Sequence, residues 1–391
     1  MKKIPFYILI FFLSFLLFSV SCITNTASAQ GEIEKEIENE VEKQLDSLID
    51  SDLNSYFQNL ENNYGFNLKE FVKGIIKGDI AVSFEDLINL FMQNVKVATK
   101  NSLASIISII VLAILSALSK SLTLGFKKEG IDKVVNWAIY GGIIATLTVI
   151  IIDCLKTTTD TIYTINDLLD KIFPIILTLI TALGGVSGAS LLQPITLVVS
   201  NLIIKLIINL IIPLFTATIV LTFVGHLSDA VKLEKLNKSF KSIANWTLGI
   251  VFSLVTTFVT LQGLVGASID TITIKSAKFA LSSYIPILGG YLSEGFDVVL
   301  ASCVLIKNAL GLTTFLILIT TLISPILKIL LVSLSLKMVS GFVEALGDTK
   351  ASCLLYETSN NLNLLLTSIG GVGFITFLIL ALLIGAFNGG I

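Results

Sequence analysis

Side chains able to move a proton, attack a carbon or hold a metal are scarce in this 391-residue chain. There is one histidine, His226, beside Gly225 at the end of a long apolar tract. That placement fits a residue at a membrane interface better than a proton relay. The four cysteines, Cys22, Cys154, Cys303 and Cys353, are single and far apart, with no CxxC pair. Their apolar or near-membrane settings suit small buried hydrophobes rather than a metal site or a disulfide framework. No GxSxG, HExxH or phosphate-cradling glycine loop occurs, and no Asp/Glu pair lies inside an apolar tract. The expectation is therefore a protein without catalytic, cofactor-binding or metal-ligating residues, and not an enzyme.

Two charges stand out by position. Lys205 is the one charged residue between 172 and 227, and Lys307, followed by Asn308, opens another apolar stretch. A lysine at such a place faces a bundle interior or a watery gap, or snorkels its ammonium to the interface. Snorkelling accounts for Lys307; for Lys205 a pore or substrate lining is an equal reading. All 26 basic residues are lysine, a usage that fits an AT-rich genome. It removes the bidentate fork with which arginine grips phosphate. With a net charge of −2 there is no basic footprint for nucleic acid.

The elements that would position these residues are membrane spans. Hydrophobic residues make up 54% of the chain and charged ones 14%, against about a quarter charged in a soluble domain. Lys2 and Lys3, an apolar run from Ile4 to Val20 and the Ala27-Ser28-Ala29 site are the order of a secretory signal peptide over residues 1–29, cleaved between Ala29 and Gln30. Residues 30–100 hold 14 acidic residues and seven lysines, an excess of seven negative charges. Ile33, Ile37, Val41, Leu45 and Leu48 recur there at helical spacing. This segment is expected to be a small acidic helical domain outside the cytoplasm. Residues 101–391 form the multi-span domain. Taking about 20 apolar residues per crossing, it holds about eight spans, with seven to nine tolerated. The fold class is an all-α polytopic membrane bundle in the lipid bilayer.

Loop charges orient it. The loops 119–133 and 228–244 are lysine-rich and belong inside, whereas 153–171, with four aspartates against two lysines, belongs outside. Residues 172–227 then need an odd number of crossings, either three short ones or one with a re-entrant pair. Gly184, Gly185, Gly188 and Pro194 mark the expected break, and Lys328 falls in the turn of an expected helical hairpin. Pro174 and Pro213 are 39 residues apart, as are Pro286 and Pro325, which raises an internal repeat with broken helices as one reading. The remaining glycine groups, such as Gly370-Gly371 with Gly373, fit close helix contact better than unwound backbone.

Several strings carry a resemblance. They are Gly185-Val186-Ser187-Gly188-Ala189 with Gln193-Pro194, the run Thr271-Ile272-Thr273-Ile274-Lys275-Ser276-Ala277-Lys278-Phe279, Tyr284-Ile285-Pro286-Ile287-Leu288-Gly289-Gly290, and Leu305-Ile306-Lys307-Asn308-Ala309-Leu310-Gly311. In this order the chain resembles the stage III sporulation protein AE family of endospore-forming bacteria over nearly its whole length. The resemblance implies a polytopic component of a channel between mother cell and forespore, lodged in the mother-cell membrane. It implies, as partners, the other membrane proteins of the same sporulation operon and a forespore membrane protein, and a role after engulfment in late forespore gene expression. It supplies no catalytic residue. The rival reading, favoured by Lys205 and the possible repeat, is a stand-alone secondary transporter of a small solute.

Overall fold

The computed structural model describes residues 84–125, 129–183, 202–227, 233–284 and 289–385. The proposed signal peptide with Ala29 and Gln30, most of the acidic segment, Gly184, Gly185, Gly188, Pro194 and Pro286 lie outside the described residues.

Six helices follow one another: α1 (Phe84–Gly125), α2 (Glu129–Ala182), α3 (Ile204–Leu227), α4 (Glu234–Tyr284), α5 (Gly289–Ala345) and α6 (Thr349–Gly385). No strand occurs among the described residues. Each of the six is long and apolar enough to cross a membrane, so the all-α membrane class stands. Among the described residues there are six such helices, where about eight spans were expected for the chain.

The shortfall has two causes. The stretch 153–171 is not a loop; α2 runs straight through it. Its charges hide a helical stripe. Cys154, Thr158, Ile162, Ile165, Leu168 and Ile172 are buried, while Asp160, Asp167 and Asp170 are exposed, an amphipathic pattern of period 3.6. Likewise, α5 is continuous through Pro325 and Lys328, so the expected hairpin there does not exist. At about 1.5 Å per residue, α2 and α5 run to roughly 80–85 Å, far beyond a hydrocarbon layer of about 30 Å. Of the tract 172–227, the first residues finish α2 and the last form one crossing-length helix, α3; residues 184–201 between them lie outside the described residues.

Proline does not break these helices. Pro174 and Pro325 sit inside α2 and α5. Ahead of Pro213, residues Ile207–Ile211 form a π-helical turn. A proline offers no N–H and its ring crowds the carbonyl four residues back, and a wider π turn relieves that crowding.

α5 and α6 form an antiparallel hairpin at the centre, with α1 and α2 on one side and α3 and α4 on the other. Between apolar helices in lipid the hydrophobic effect gives little attraction, so close packing and interhelical hydrogen bonds hold them. Both are present. Ser333 and Ser359 exchange hydrogen bonds, Ser359 Oγ donating to the Ser333 carbonyl at 2.9 Å. Ser340 Oγ donates to the Ser352 carbonyl at 3.0 Å. The two contacts are seven residues apart on each helix, so both come from the same face of α5 and of α6. Gly373 lies against Leu322 of α5 and Gly371 against the Phe252 ring of α4, and a Cβ added at either would collide with that side chain. These two glycines serve close helix contact. Buried threonines such as Thr158, Thr222, Thr313 and Thr358 donate to the carbonyl four residues back, which satisfies the hydroxyl inside an apolar helix.

Outward-facing side chains are large and apolar: Val149 is 69% exposed, Leu254 65% and Phe342 65%. Lipid tails are the solvent in which such a surface is stable.

Candidate functional site

The two lysines singled out in the sequence occupy different environments. Lys205 is exposed on α3, two residues before the π-helical segment. Lys307 is fully enclosed within α5 at 0% exposure, so it does not reach the interface as a snorkelling lysine would. Beside it, Asn308 Oδ1 is buried with no hydrogen-bond partner. The structure does not bring Lys205 and Lys307 together into one lining.

Most of the polar structure gathers instead at the end of the bundle where α5 turns into α6. Gly347 adopts φ 89°, the left-handed backbone that glycine takes without strain. Its N–H donates to the Glu344 carbonyl at 2.9 Å and the Asp348 N–H to the Val343 carbonyl at 3.2 Å, a Schellman closure of α5. Asp348 then opens α6. Its Oδ1 accepts from the Ala351 N–H at 3.0 Å, an N-cap onto the third helical residue. The same carboxylate accepts from the Tyr140 hydroxyl of α2 at 2.7 Å and the Ser116 hydroxyl of α1 at 2.8 Å. One aspartate thus fastens four helices.

A second cluster joins α3, α4 and α6 at that end. Thr222 Oγ1 accepts from the side-chain amides of Asn237 at 2.9 Å and Asn361 at 3.1 Å. Lys241 Nζ donates to the Asn360 carbonyl at 2.9 Å and to Asn361 Oδ1 at 3.2 Å. His226, in the last turn of α3, has Nδ1 2.8 Å from the Thr222 carbonyl. Its neighbours across the helix gap are Cys353 and Glu357 of α6. Cys154 and Cys303 are buried as expected, but Cys353 is exposed.

Farther along the bundle, Lys328 Nζ of α5 lies 2.9 Å from the Asp153 carboxylate of α2 and donates to Thr157 Oγ1 at 2.9 Å. The pair lies in the middle of two long helices and ties them. Nothing in the sequence signals it, since the two residues are far apart in the chain. Asp348 was equally hidden, because a carboxylate between two helices reads as loop charge.

Trp137 and Trp246, the two tryptophans of the chain, are 65% and 70% exposed. Each lies two to three turns into a helix that starts at this polar end, α2 and α4. Tryptophan collects at the headgroup level, so the pair marks where the polar end meets the interface.

Comparison with known proteins decides the family. A family model described as Stage III sporulation protein AE matches residues 66–386. The chain belongs to that family. The stage III sporulation protein AE of Bacillus subtilis (strain 168) is 24% identical over 338 residues, covering 85% of this chain and 84% of the relative. No solved structure matches. The matched region takes in all six described helices, which run from Phe84 to Gly385. As a member of the stage III sporulation protein AE family, the protein has a role in sporulation, and its apolar helices make it a membrane protein.

Proposed function

We propose that the protein is a multi-pass component of a channel joining mother cell and forespore, needed for endospore development after engulfment. Family membership supplies the sporulation role. The observation that carries the assembly reading is how the polar groups are used. Asp348, Asp153, Lys328, Ser333 and Ser359 all bind one helix to another. They hold a scaffold rather than line a solute path. The chain sits in the mother-cell membrane with residues 30–100 outside the cytoplasm. The polar end at Asp348 is the cytoplasmic one, because the lysine-rich segments 119–133 and 228–244 flank it. Its partners are the membrane proteins of the same operon and a forespore membrane protein, and the acidic segment is the docking surface toward them.

Affinity purification from sporulating cells tests this. The other operon products co-purify, and deletion of the gene arrests development after engulfment. Recovery of the chain alone, together with solute uptake in liposomes, overturns the proposal in favour of a secondary transporter. Lys205 discriminates further. A pore role for that residue predicts a sporulation defect in Lys205→Met, and normal sporulation of that variant removes the role.

A further inference from the structure

We propose that His226, Cys353 and Glu357 form a binding site for a divalent transition cation of the zinc class, clamping the end of α3 to the first turns of α6. One ligand atom from each side chain lies within 4.8 Å of the other two. Cys353 and Glu357 are four residues apart on α6, so they share a face one turn apart. His226 comes from a helix end more than a hundred residues earlier, and the fold brings it onto that face.

The donor set selects the metal. One thiolate, one imidazole and one carboxylate suit zinc or cobalt, whereas calcium and magnesium take oxygen shells. Thiolate and carboxylate together balance a dication. Zinc–ligand distances of about 2.0–2.3 Å in a tetrahedron put ligand atoms about 3.5 Å apart, so the three side chains need to close by about 1 Å. A water completes the fourth position.

A second observation supports a ligand role for the histidine. With Nδ1–H donating to the Thr222 carbonyl at 2.8 Å, the ring presents the Nε2 lone pair outward. Metal-bound imidazoles are oriented in this way by a carbonyl or carboxylate behind them. Thr222 itself is held by Asn237 and Asn361, so the backing group is fixed from α4 and α6. Cys353 is exposed, which leaves a route of entry. Lys238 and Lys241 also feel the charge of Glu357. A role for Glu357 as their counter-charge alone is the outcome that a negative result establishes.

The test uses the full chain in detergent with Cys22→Ser, stripped by a chelator and titrated with Co²⁺. The expected result is one Co²⁺ per chain with a thiolate-to-cobalt charge-transfer band, displaced by Zn²⁺. Cys353→Ser abolishes the band. His226→Ala and Glu357→Gln weaken binding about ten-fold or more, since even outer-shell changes cost that much. A second measurement needs no variant at these three positions. Zn²⁺ slows alkylation of Cys353 by a soluble maleimide about ten-fold or more, and a chelator restores the rate. Unchanged alkylation, or the same cobalt spectrum in Cys353→Ser, overturns the site. Metal content and thiol protection are independent of sporulation, so failure here leaves the channel reading untouched, and the reverse.

Discussion

At the residue scale the informative side chain is Asp348. It caps α6 and accepts from Ser116 and Tyr140 on two other helices. Losing an N-cap costs about 1 kcal/mol, and hydrogen bonds to a charged group contribute about 1.5–3 kcal/mol. Asp348→Ala is therefore expected to lower stability by about 2 kcal/mol or more. Asp348→Asn keeps the cap and loses less. Thermal unfolding in detergent distinguishes the order wild type, Asn, Ala; an Ala variant as stable as wild type would remove Asp348 from this role. Gly347→Ala is expected to cost about 1 kcal/mol in the same assay, because φ 89° strains any residue with a Cβ. His226 belongs at this scale too. Its type made it conspicuous in the sequence, but the two side chains beside it, Cys353 and Glu357, become its neighbours only when α3 packs on α6.

The element scale is governed by contact between helices in a solvent as apolar as their own surfaces. Gly371→Leu and Gly373→Leu push a side chain into Phe252 and Leu322. Both are expected to destabilise the bundle by about 1–3 kcal/mol or to block its assembly, the usual cost of overpacking. A Cβ added at Gly249 or Gly341 meets nothing within 4 Å, so Gly249→Ala and Gly341→Ala are expected to leave the melting temperature unchanged. Equal melting of all four variants would show that α6 does not pack as described. Between α2 and α5, a double-mutant cycle on Asp153 and Lys328 is expected to give a coupling of about 0.5–1 kcal/mol, the range of partly exposed ion pairs. A coupling of zero would make the pair incidental. The continuity of α2 also belongs here. Its polar stretch has the charge of a loop but the period of a helix. Ile162, Ile165 and Leu168 against Asp160 and Asp167 carry the helical signal.

For the whole molecule the question is which way the bundle faces. The proposed topology puts the polar end inside, since lysine-rich segments lie next to Asp348 and exposed aspartates at 160, 167 and 170 lie far from it. A cysteine introduced at Asp167 is expected to react with an impermeant maleimide added to intact cells. One introduced at Leu346, in the turn before α6, is expected to react only after the membrane is opened. The reverse pattern would invert the proposed topology. Trp137 and Trp246, both placed near one end, are expected to be quenched by lipids brominated near the headgroup more than by lipids brominated at the chain end.

Composition and the length of the apolar runs were enough, without coordinates, to determine a membrane-spanning all-α protein, because a backbone in lipid must satisfy its own hydrogen bonds and a helix does so within one segment. The strings from Gly185 to Gly311 were enough to point to the sporulation family. The number of helices was not legible, because a charged stretch inside a helix and a charged loop have the same composition and differ only in what packs on them. Nor was the use of the polar residues. Asp348 with Tyr140, Lys328 with Asp153, and His226 with Cys353 and Glu357 are pairings across the chain, and only the packing of six helices brings such partners within hydrogen-bonding or ligand distance.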